Sequence, residues 1–203
     1  MMRPRREHLS EKSLSIIGIP KSFYRTSLSD FDYSSEEGLE EVFKFVQKYI
    51  GSIETGVPLK KGIFFYGSNG VGKTMLSSII LRCAYMYRYT CKRVTFVDYI
   101  DRYTSVWSSR AIDEKEMLRD DLFVNYKGVE YLVLEEVGKE VNRNVSIPIL
   151  EDLLRYREDH GLVTIICSNL VPKAIQDIYG DSIYSLMRGN MTPVKIVGRD
   201  NRR

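Results

Sequence analysis

The chain has 203 residues, of which 43% are hydrophobic, and its formal net charge is +3. This composition predicts one globular domain with a full core, excludes a disordered or fibrous chain, and leaves no room for a second large domain. The net charge argues neither for nor against a nucleic-acid partner. Three cysteines at no zinc-like spacing predict free structural thiols in a reducing cytosol. No apolar run approaches the roughly 20 residues of a membrane-spanning helix, so we expect a soluble, cytoplasmic protein with no membrane partner.

The N-terminal stretch is polar and basic. Residues 1–18 carry a cluster of arginines and offer no core-facing period, so we predict a flexible basic arm followed by one folded domain over residues 19–203. Residues 36–50 then place large apolar side chains on one helical face behind an acidic first turn. That pattern predicts an amphipathic helix.

Beyond this helix, short apolar runs alternate with helical patterns. The run at 61–67 ends in glycine and predicts a buried strand, and the stretch 73–89 has helical period and length. Further strands are predicted at 93–99, 129–138, 161–169 and 193–199. Helical stretches are predicted between them, from 99–109 to 122–126 and at 147–159. The alternation indicates an α/β fold whose mostly parallel sheet is covered on both faces.

Residues 67–74, with the sequence GSNGVGKT, fit the phosphate-binding loop pattern at every fixed position. Glycines let main-chain N–H groups wrap closely around phosphate oxygens, and the following helix points its positive end at the same anion. The predicted cradle consists of six residues: Gly67, Ser68, Asn69, Gly70, Val71 and Gly72. Lys73 is expected to reach the terminal phosphates and Thr74 to hold Mg²⁺, so we predict ATP or ADP as ligand. A chance glycine turn is the alternative.

Acidic and amide side chains end the next two buried strands. Hydrolysis needs one carboxylate that orients magnesium and another that polarises the attacking water, and Glu135 and Glu136 supply that pair. The alternative is a solvated acidic turn. Ser168 and Asn169 end the following strand, and we choose Asn169 as the side chain that hydrogen-bonds the attacking water or the γ-phosphate. An asparagine that only forms a turn is the alternative.

Five stretches of the chain form a recognisable set: IPKSFYRTSLSDF, FFYGSNGVGKT, YLVLEEVGKE, ICSNLVPKAIQDIYGDSI and IVGRDNRR. Together and in this order they resemble the AAA+ ATPases of the DnaC and DnaI helicase-loader group and the IstB transposition ATPases. The resemblance implies a P-loop AAA+ three-layer sandwich over residues 19–203. It makes residues 67–74 the Walker A motif, Glu135 and Glu136 the Walker B pair, and Asn169 sensor 1. It also places the segment 19–31, with Tyr24 and Phe31, against the adenine.

Three departures from the family pattern qualify this resemblance. Glu135 stands where the family usually has aspartate, which predicts slow hydrolysis, and Glu135→Asp would raise the rate if that geometry is limiting. Leu186 stands where family members carry a candidate arginine finger. We choose Arg188, two residues further on, as the residue that takes this role; the alternative is that Arg188 is an ordinary surface arginine. Only about 20 residues precede the core, where the family's loaders carry a domain that grips the helicase, so we expect the partner to bind other surfaces or the basic arm. Few residues follow residue 198, so we expect no helical lid or a minimal one.

A member of this group is expected to contact single-stranded DNA through basic and aromatic residues. The segment 92–110 interleaves such side chains: Lys92, Arg93, Arg102, Arg110, Tyr99, Tyr103 and Trp107. The aromatic residues recur every four positions, and such a stripe is more often core packing than a platform for bases. The terminal arginines Arg199, Arg202 and Arg203 are open to three interpretations: a contact to nucleotide phosphate, a contact to DNA, or a solvated tail.

The favoured hypothesis is a DNA-dependent ATPase that forms an ATP-dependent homo-oligomer on single-stranded DNA and helps to load a replicative helicase in a bacterial or phage-infected cell. An IstB-like transposition helper, with a transposase as partner, differs from it chiefly in that partner. A nucleotide switch that hardly hydrolyses ATP belongs to a different class, and Glu135 and Leu186 motivate it. A small-molecule kinase would use the same loop, but the acidic strand argues against it.

Overall fold

The computed structural model describes residues 3–57, 59, 61–109, 111–198 and 200. The strands are β1 (Gly62–Tyr66), β2 (Cys91–Thr95), β3 (Tyr131–Val137), β4 (Val163–Ser168) and β5 (Met191–Lys195). The helices are α1 (Glu11–Ile16), α2 (Leu39–Glu54), α3 (Lys73–Met86), α4 (Phe96–Ser108), α5 (Ile112–Leu122), α6 (Arg143–Asp159) and α7 (Pro172–Asn190). Short 3-10 helices span Lys21–Phe23 and Leu28–Asp30, and a π-helical turn spans Phe123–Lys127.

The five strands form one parallel sheet in the order β2-β3-β4-β1-β5. Alternate side chains of the interior strand β1 enter different cores. Ile63 and Phe65 join the first core cluster, beneath α2 and α3, whereas Phe64 joins the second core cluster, beneath α4, α6 and α7. This alternation is what a sheet covered by helices on both faces requires. The predicted α/β P-loop architecture is therefore confirmed.

The sheet topology brings the carboxyl ends of three strands together. Strand β1 lies beside β4, and β3 lies on the other side of β4, so the segments that follow Tyr66, Val137 and Ser168 leave the sheet at one edge. In open parallel sheets, ligands bind outside this edge. The phosphate-loop sequence, the acidic pair and Asn169 all fall there.

The N-terminal segment departs from the predicted flexible arm. Residues 11–16 form α1, whose Leu14 is buried together with Ile17. The main-chain N–H of Arg6 donates to the carbonyl of Met86 at 2.8 Å, and the Arg3 guanidinium pairs with Glu130. Two buried aliphatic side chains and these polar contacts hold the segment against the domain, so the arm is not detached in this structure. The proposed boundary at residue 18 stays a prediction.

The predicted helices and strands are present with shifted bounds, except that part of one predicted strand is a helix. The predicted strand 93–99 is wrong beyond Thr95, because Thr95 caps a helix: its Oγ1 accepts from the N–H of Asp98 at 3.1 Å, and α4 begins at Phe96. Helix α7 carries a non-helical residue, Gly180, with φ of 86°. Among the described residues, no helix follows β5. No helix of the described residues has the length and apolar character that crossing a membrane requires.

Candidate functional site

The glycine loop joins β1 to α3 and needs glycine for steric reasons. Gly67 has φ of 150°, and a Cβ there would lie 2.0 Å from the carbonyl oxygen of Ile196. Gly72, with φ of 103°, is the N-cap of α3, and a Cβ there would approach the Phe31 ring to 3.1 Å. Helix α3 starts at the next residue, so the N–H groups of its first turn, which the helix itself cannot pair, lie beside the loop. The loop therefore has the shape and polarity of an anion cradle.

Lys73 lies across this loop. Its ammonium donates to the carbonyls of Gly67 at 2.7 Å and Ser68 at 2.5 Å, and to Oδ1 of Asn169 at 2.8 Å. The amide of Asn169 in turn donates to Oδ1 of Asn69 at 2.8 Å. The side chain at the end of β4 is thus held against both the lysine and the loop. Ser168 turns away, because its hydroxyl donates to the carbonyl of Val137.

Glu135 is buried, with 2% of its surface exposed, and its carboxylate accepts three hydrogen bonds. Oε2 accepts from the hydroxyl of Thr74 at 3.1 Å, and Oε1 accepts from the hydroxyl of Ser77 at 3.0 Å and from Nε of Arg93 at 3.3 Å. A hydroxyl beside a carboxylate is the oxygen donor set that Mg²⁺ takes when phosphate and water complete its shell. The residues predicted to hold the metal, Thr74 and Glu135, therefore fit it.

Glu136 has a different environment from its neighbour. Its backbone has φ of 62°, and the pairing of β3 with β4 shifts register between Leu134 and Val137, which marks a bulge. The side chain is about half exposed, and its carboxylate pairs with the ammonium of Lys139 at 2.7 Å. Both residues line the cavity beside the loop. The bulge thus brings the second carboxylate to the cavity without burying it.

A cavity of about 500 Å³ connects the groups described above. The loop, the ends of β3 and β4, and the segment before α2 contribute its walls; that segment provides Phe23, Asp30, Phe31 and Asp32. Phe31, which was predicted to lie against the adenine, is therefore one of the lining residues. Among the described residues that line the cavity, Tyr24 is absent and its neighbour Phe23 is present, although both side chains pack on the first core cluster. An adenine contact for either position stays a prediction.

Cys167 lies at the bottom of this cavity, with 1% of its surface exposed. Burial, and then the nearby Glu135 carboxylate, raise the pKa of its thiol well above the ordinary value. The thiol is therefore neutral at physiological pH and is not a nucleophile. All three cysteines are free, as predicted.

Comparison with known proteins supports the helicase-loader resemblance. No protein-family model matches the chain. The replicative helicase loader DnaC of Buchnera aphidicola from Acyrthosiphon pisum is 21% identical over 178 residues, which cover 88% of this chain and 69% of that protein. The crystal structure of the DnaC helicase loader superposes with a TM-score of 0.73 at 18% identity, over 88% of this chain and all of that one. For DnaI the TM-score is 0.68 at 24% identity, over 95% and 100% of the two chains.

The predicted resemblance to the DnaC/DnaI helicase-loader group is confirmed. A third structure, the replication initiator DnaA bound to AMPPCP and single-stranded DNA, has a TM-score of 0.68 at 20% identity. The superposition covers 88% of this chain and 51% of the DnaA chain. The shared fold is an α/β fold with helices packed on a parallel sheet, and the Walker A role of the loop 67–74 stays a prediction.

The arginine that this resemblance singled out lies away from the cavity. Arg188 is exposed on α7, beyond the kink at Gly180, where it borders a small pocket with Phe64 and Tyr184. Leu186, which the resemblance places at the position of the candidate arginine finger, packs on the second core cluster. Arg188 thus lies outside its own chain's site, and an arginine finger for a neighbouring subunit stays a prediction.

The predicted DNA-contacting residues separate into buried and exposed groups. Tyr99 is fully buried against Tyr103 and Tyr126, so core packing is correct for that position. Trp107 is 65% exposed, with Lys115 above its ring. Arg93 faces Glu135 instead of solvent. Lys92 and Arg102 both lie over the ring of Tyr126. Four further arginines lie outside the described residues: Arg110, Arg199, Arg202 and Arg203.

The residues of the site that the sequence did not predict include Phe23, Ser77, Arg93 and Lys139. Ser77 follows Thr74 by one helical turn, so the helix period predicts that both face one side. Arg93 faces Glu135 because β2 pairs with β3 in a register that places Thr95 opposite Glu135. Strand alternation then puts residues 93 and 135 on one face, but no local signal gives that register.

Proposed function

We propose that this chain is an ATP-hydrolysing AAA+ protein that acts as a helicase loader in DNA replication. The observation that carries the proposal is the convergence of the loop, Lys73, Glu135, Glu136 and Asn169 on one cavity. Proteins similar to the chain support the role, since the curated relative is named a replicative helicase loader and DnaA was solved with AMPPCP and single-stranded DNA. The proteins named above are replication proteins, which favours a helicase over a transposase as partner.

The residues divide the work of ATP hydrolysis among them. The loop N–H groups and the α3 N-terminus bind the phosphates, and Lys73 exchanges its carbonyl acceptors for phosphate oxygens. Thr74 and Glu135 hold Mg²⁺, which when bound neutralises charge on the β- and γ-phosphates. Phe23 and Phe31 provide the apolar walls against which the adenine lies. Each group lies within reach of the same cavity.

Glu136 is the general base of this proposal. Its carboxylate lines the cavity and is paired with Lys139. Once that ion pair opens, the Glu136 carboxylate accepts a proton from the attacking water. Asn169, which already touches Lys73, orients that water or the γ-phosphate. In an ATP-dependent homo-oligomer, Arg188 of one subunit serves the site of the next. Residues 19–203 form the ATPase domain, which works with single-stranded DNA and a replicative helicase in the cytoplasm.

Phosphate release in the presence of ATP, Mg²⁺ and single-stranded DNA tests the proposal. We expect DNA to raise the rate, and Glu136→Gln to abolish release while leaving ATP affinity within about twofold, since the variant keeps the loop intact. Lys139→Gln is the matched control and should retain turnover. Release that stays negligible with and without DNA would favour the nucleotide switch. Release that requires an added phosphoryl acceptor would favour a kinase.

The partner is tested separately by pulldown with the full chain and ATP. Recovery of a hexameric replicative helicase, lost in Lys73→Ala, supports helicase loading. Recovery of a transposase instead would replace the loader with the transposition helper.

A further inference from the structure

Arg93 links the magnesium carboxylate to the N-terminal segment. It lies on β2, the edge strand, with 17% of its side chain exposed. Its Nε donates to Oε1 of Glu135 at 3.3 Å, and Nη1 donates to the carbonyl of Gly18 at 3.2 Å. Its main-chain N–H donates to the carbonyl of Ile17 at 2.8 Å. One residue therefore bridges the Walker B glutamate and the segment after α1.

The ion pair between Arg93 and Glu135 compensates for the burial of the Glu135 carboxylate. The Glu135 side chain is only 3% exposed, and a buried carboxylate is costly unless it is paired and hydrogen-bonded. The Thr74 and Ser77 hydroxyls supply hydrogen bonds, and the Arg93 guanidinium supplies the opposite charge. A bound divalent cation would supply the same charge from the other side. Two cations then compete for one carboxylate, because like charges at close range repel each other.

Gly18 fixes the far end of the guanidinium. It has φ of 86°, and a Cβ there would lie 2.3 Å from the carbonyl oxygen of Arg93. Only glycine lets the segment approach the β2 edge this closely. The contact that holds Arg93 in place thus depends on the seating of residues 17 and 18.

We propose that Arg93 is a positioning residue that acts as the resident counter-ion of Glu135 and thereby weakens Mg²⁺ binding, with residues 17 and 18 holding it in place. The proposal rests on the proposed function, since it concerns the same nucleotide site. It predicts that displacement of the N-terminal segment changes the Mg²⁺ requirement of the site without any change in the loop.

The test is a Mg²⁺ titration of the nucleotide complex, followed by the fluorescence of a labelled ADP, with the full chain. For Arg93→Met we expect the Mg²⁺ midpoint to fall by about threefold or more, because the competing charge is gone. Arg93→Lys keeps the charge and should stay near the wild-type midpoint. Arg102→Met is the matched control: it removes a nearby cation on α4 that pairs with Asp121 and lies over the ring of Tyr126. We expect no shift there.

Thermal unfolding separates this role from a merely structural one. Arg93→Met should melt lower than wild type in EDTA, where Glu135 has lost its counter-ion, and should regain most of that loss with Mg²⁺ and ADP. Equal losses under both conditions, or an unchanged Mg²⁺ midpoint, would overturn the proposal. A wild-type chain that binds no nucleotide would instead overturn the proposed function.

A glycine pair tests the seating of the segment. Gly18→Ala should move the Mg²⁺ midpoint in the same direction as Arg93→Met. Gly38→Ala is the matched control, because Gly38 has the same φ of 86° but a Cβ there would meet nothing within 4 Å. Both substitutions carry the same backbone strain, and only the first disturbs the contact with Arg93. Identical midpoints for the two variants would remove residues 17 and 18 from the proposal.

Discussion

Shortening Glu135 by one methylene probes how closely the site is fitted to its side chain. In Glu135→Asp the carboxylate retracts by about 1.5 Å, the length of one carbon–carbon bond. The donors now lie at 3.1 Å (Thr74), 3.0 Å (Ser77) and 3.3 Å (Arg93). All three would move beyond hydrogen-bonding distance unless the backbone follows. The family's aspartate would therefore not restore a better geometry here.

The magnitude follows from these contacts. A hydrogen bond to a charged group contributes about 1.5–3 kcal/mol, and the lost methylene contributes about 0.8 kcal/mol more. Water from the adjoining cavity replaces part of the lost bonding. We therefore expect the free energy of unfolding to fall by about 2–4 kcal/mol in metal-free buffer. Hydrolysis should fall as well, contrary to the expectation from the family pattern, because Thr74 and the carboxylate no longer meet at the metal position.

Urea unfolding in EDTA, followed by far-UV circular dichroism, measures the change. Glu136→Asp is the matched control, since it makes the same chemical change at the next residue. Its side chain is about half exposed and makes one ion pair, and aspartate tolerates the left-handed backbone at that position. That variant should stay within about 0.5 kcal/mol of wild type. Equal stability of the two variants, or faster hydrolysis in Glu135→Asp, would refute the fitted-site argument.

Three further outcomes are expected. Lys73→Ala should lower ATP affinity by about 100-fold or more in calorimetry, because it removes the charge that faces the phosphates, and normal binding would contradict the loop assignment. Arg157→Met should lower the free energy of unfolding by about 3–5 kcal/mol, because the buried guanidinium donates to a hydroxyl and three main-chain carbonyls, whereas exposed Arg155→Met should cost under about 1 kcal/mol. Burial raises the pKa of the Cys83 thiol from 9.0 to about 12, so the folded chain should resist iodoacetamide at pH 9.5, and its stability should fall as pH rises from 9 toward 12, where the unfolded thiol ionises first. Alkylation of Cys83 as fast as in urea would contradict this.

The features that sequence reasoning predicted correctly are those that local patterns encode. The spacing of glycines, lysine and threonine predicted the loop, and apolar runs predicted the strands that meet at the site. Parallel topology then placed Glu135 and Asn169 beside the loop, because successive strands of such a sheet expose their carboxyl ends at one edge. These inferences need no knowledge of strand register.

The predictions that failed depend on contacts distant in sequence. Residues 1–18 were predicted to form a flexible arm because they are basic and show no core-facing period. In the structure, Leu14 and Ile17 are buried in the first core cluster, a contact with residues distant in sequence. The run 93–99 is rich in β-branched and aromatic residues, yet Thr95, within that run, is the N-cap of α4. The β-propensity of this run is outweighed by the helix cap at Thr95 and by the packing of Phe96 and Tyr99 in the second core cluster.

The contrast between Glu135 and Glu136 depends on a single backbone feature. On β3, Leu134 pairs with Ile166 and Val137 with Ser168, so two glutamates on one strand oppose a single residue on the other. A regular strand would turn Glu136 to the face of Leu134, into the second apolar cluster, where an unpaired carboxylate is costly. The positive φ of Glu136 avoids that burial and directs the side chain to the cavity. The division between a metal-holding and a water-activating glutamate therefore follows from the bulge, and two adjacent identical letters in the sequence could not show which glutamate takes which role.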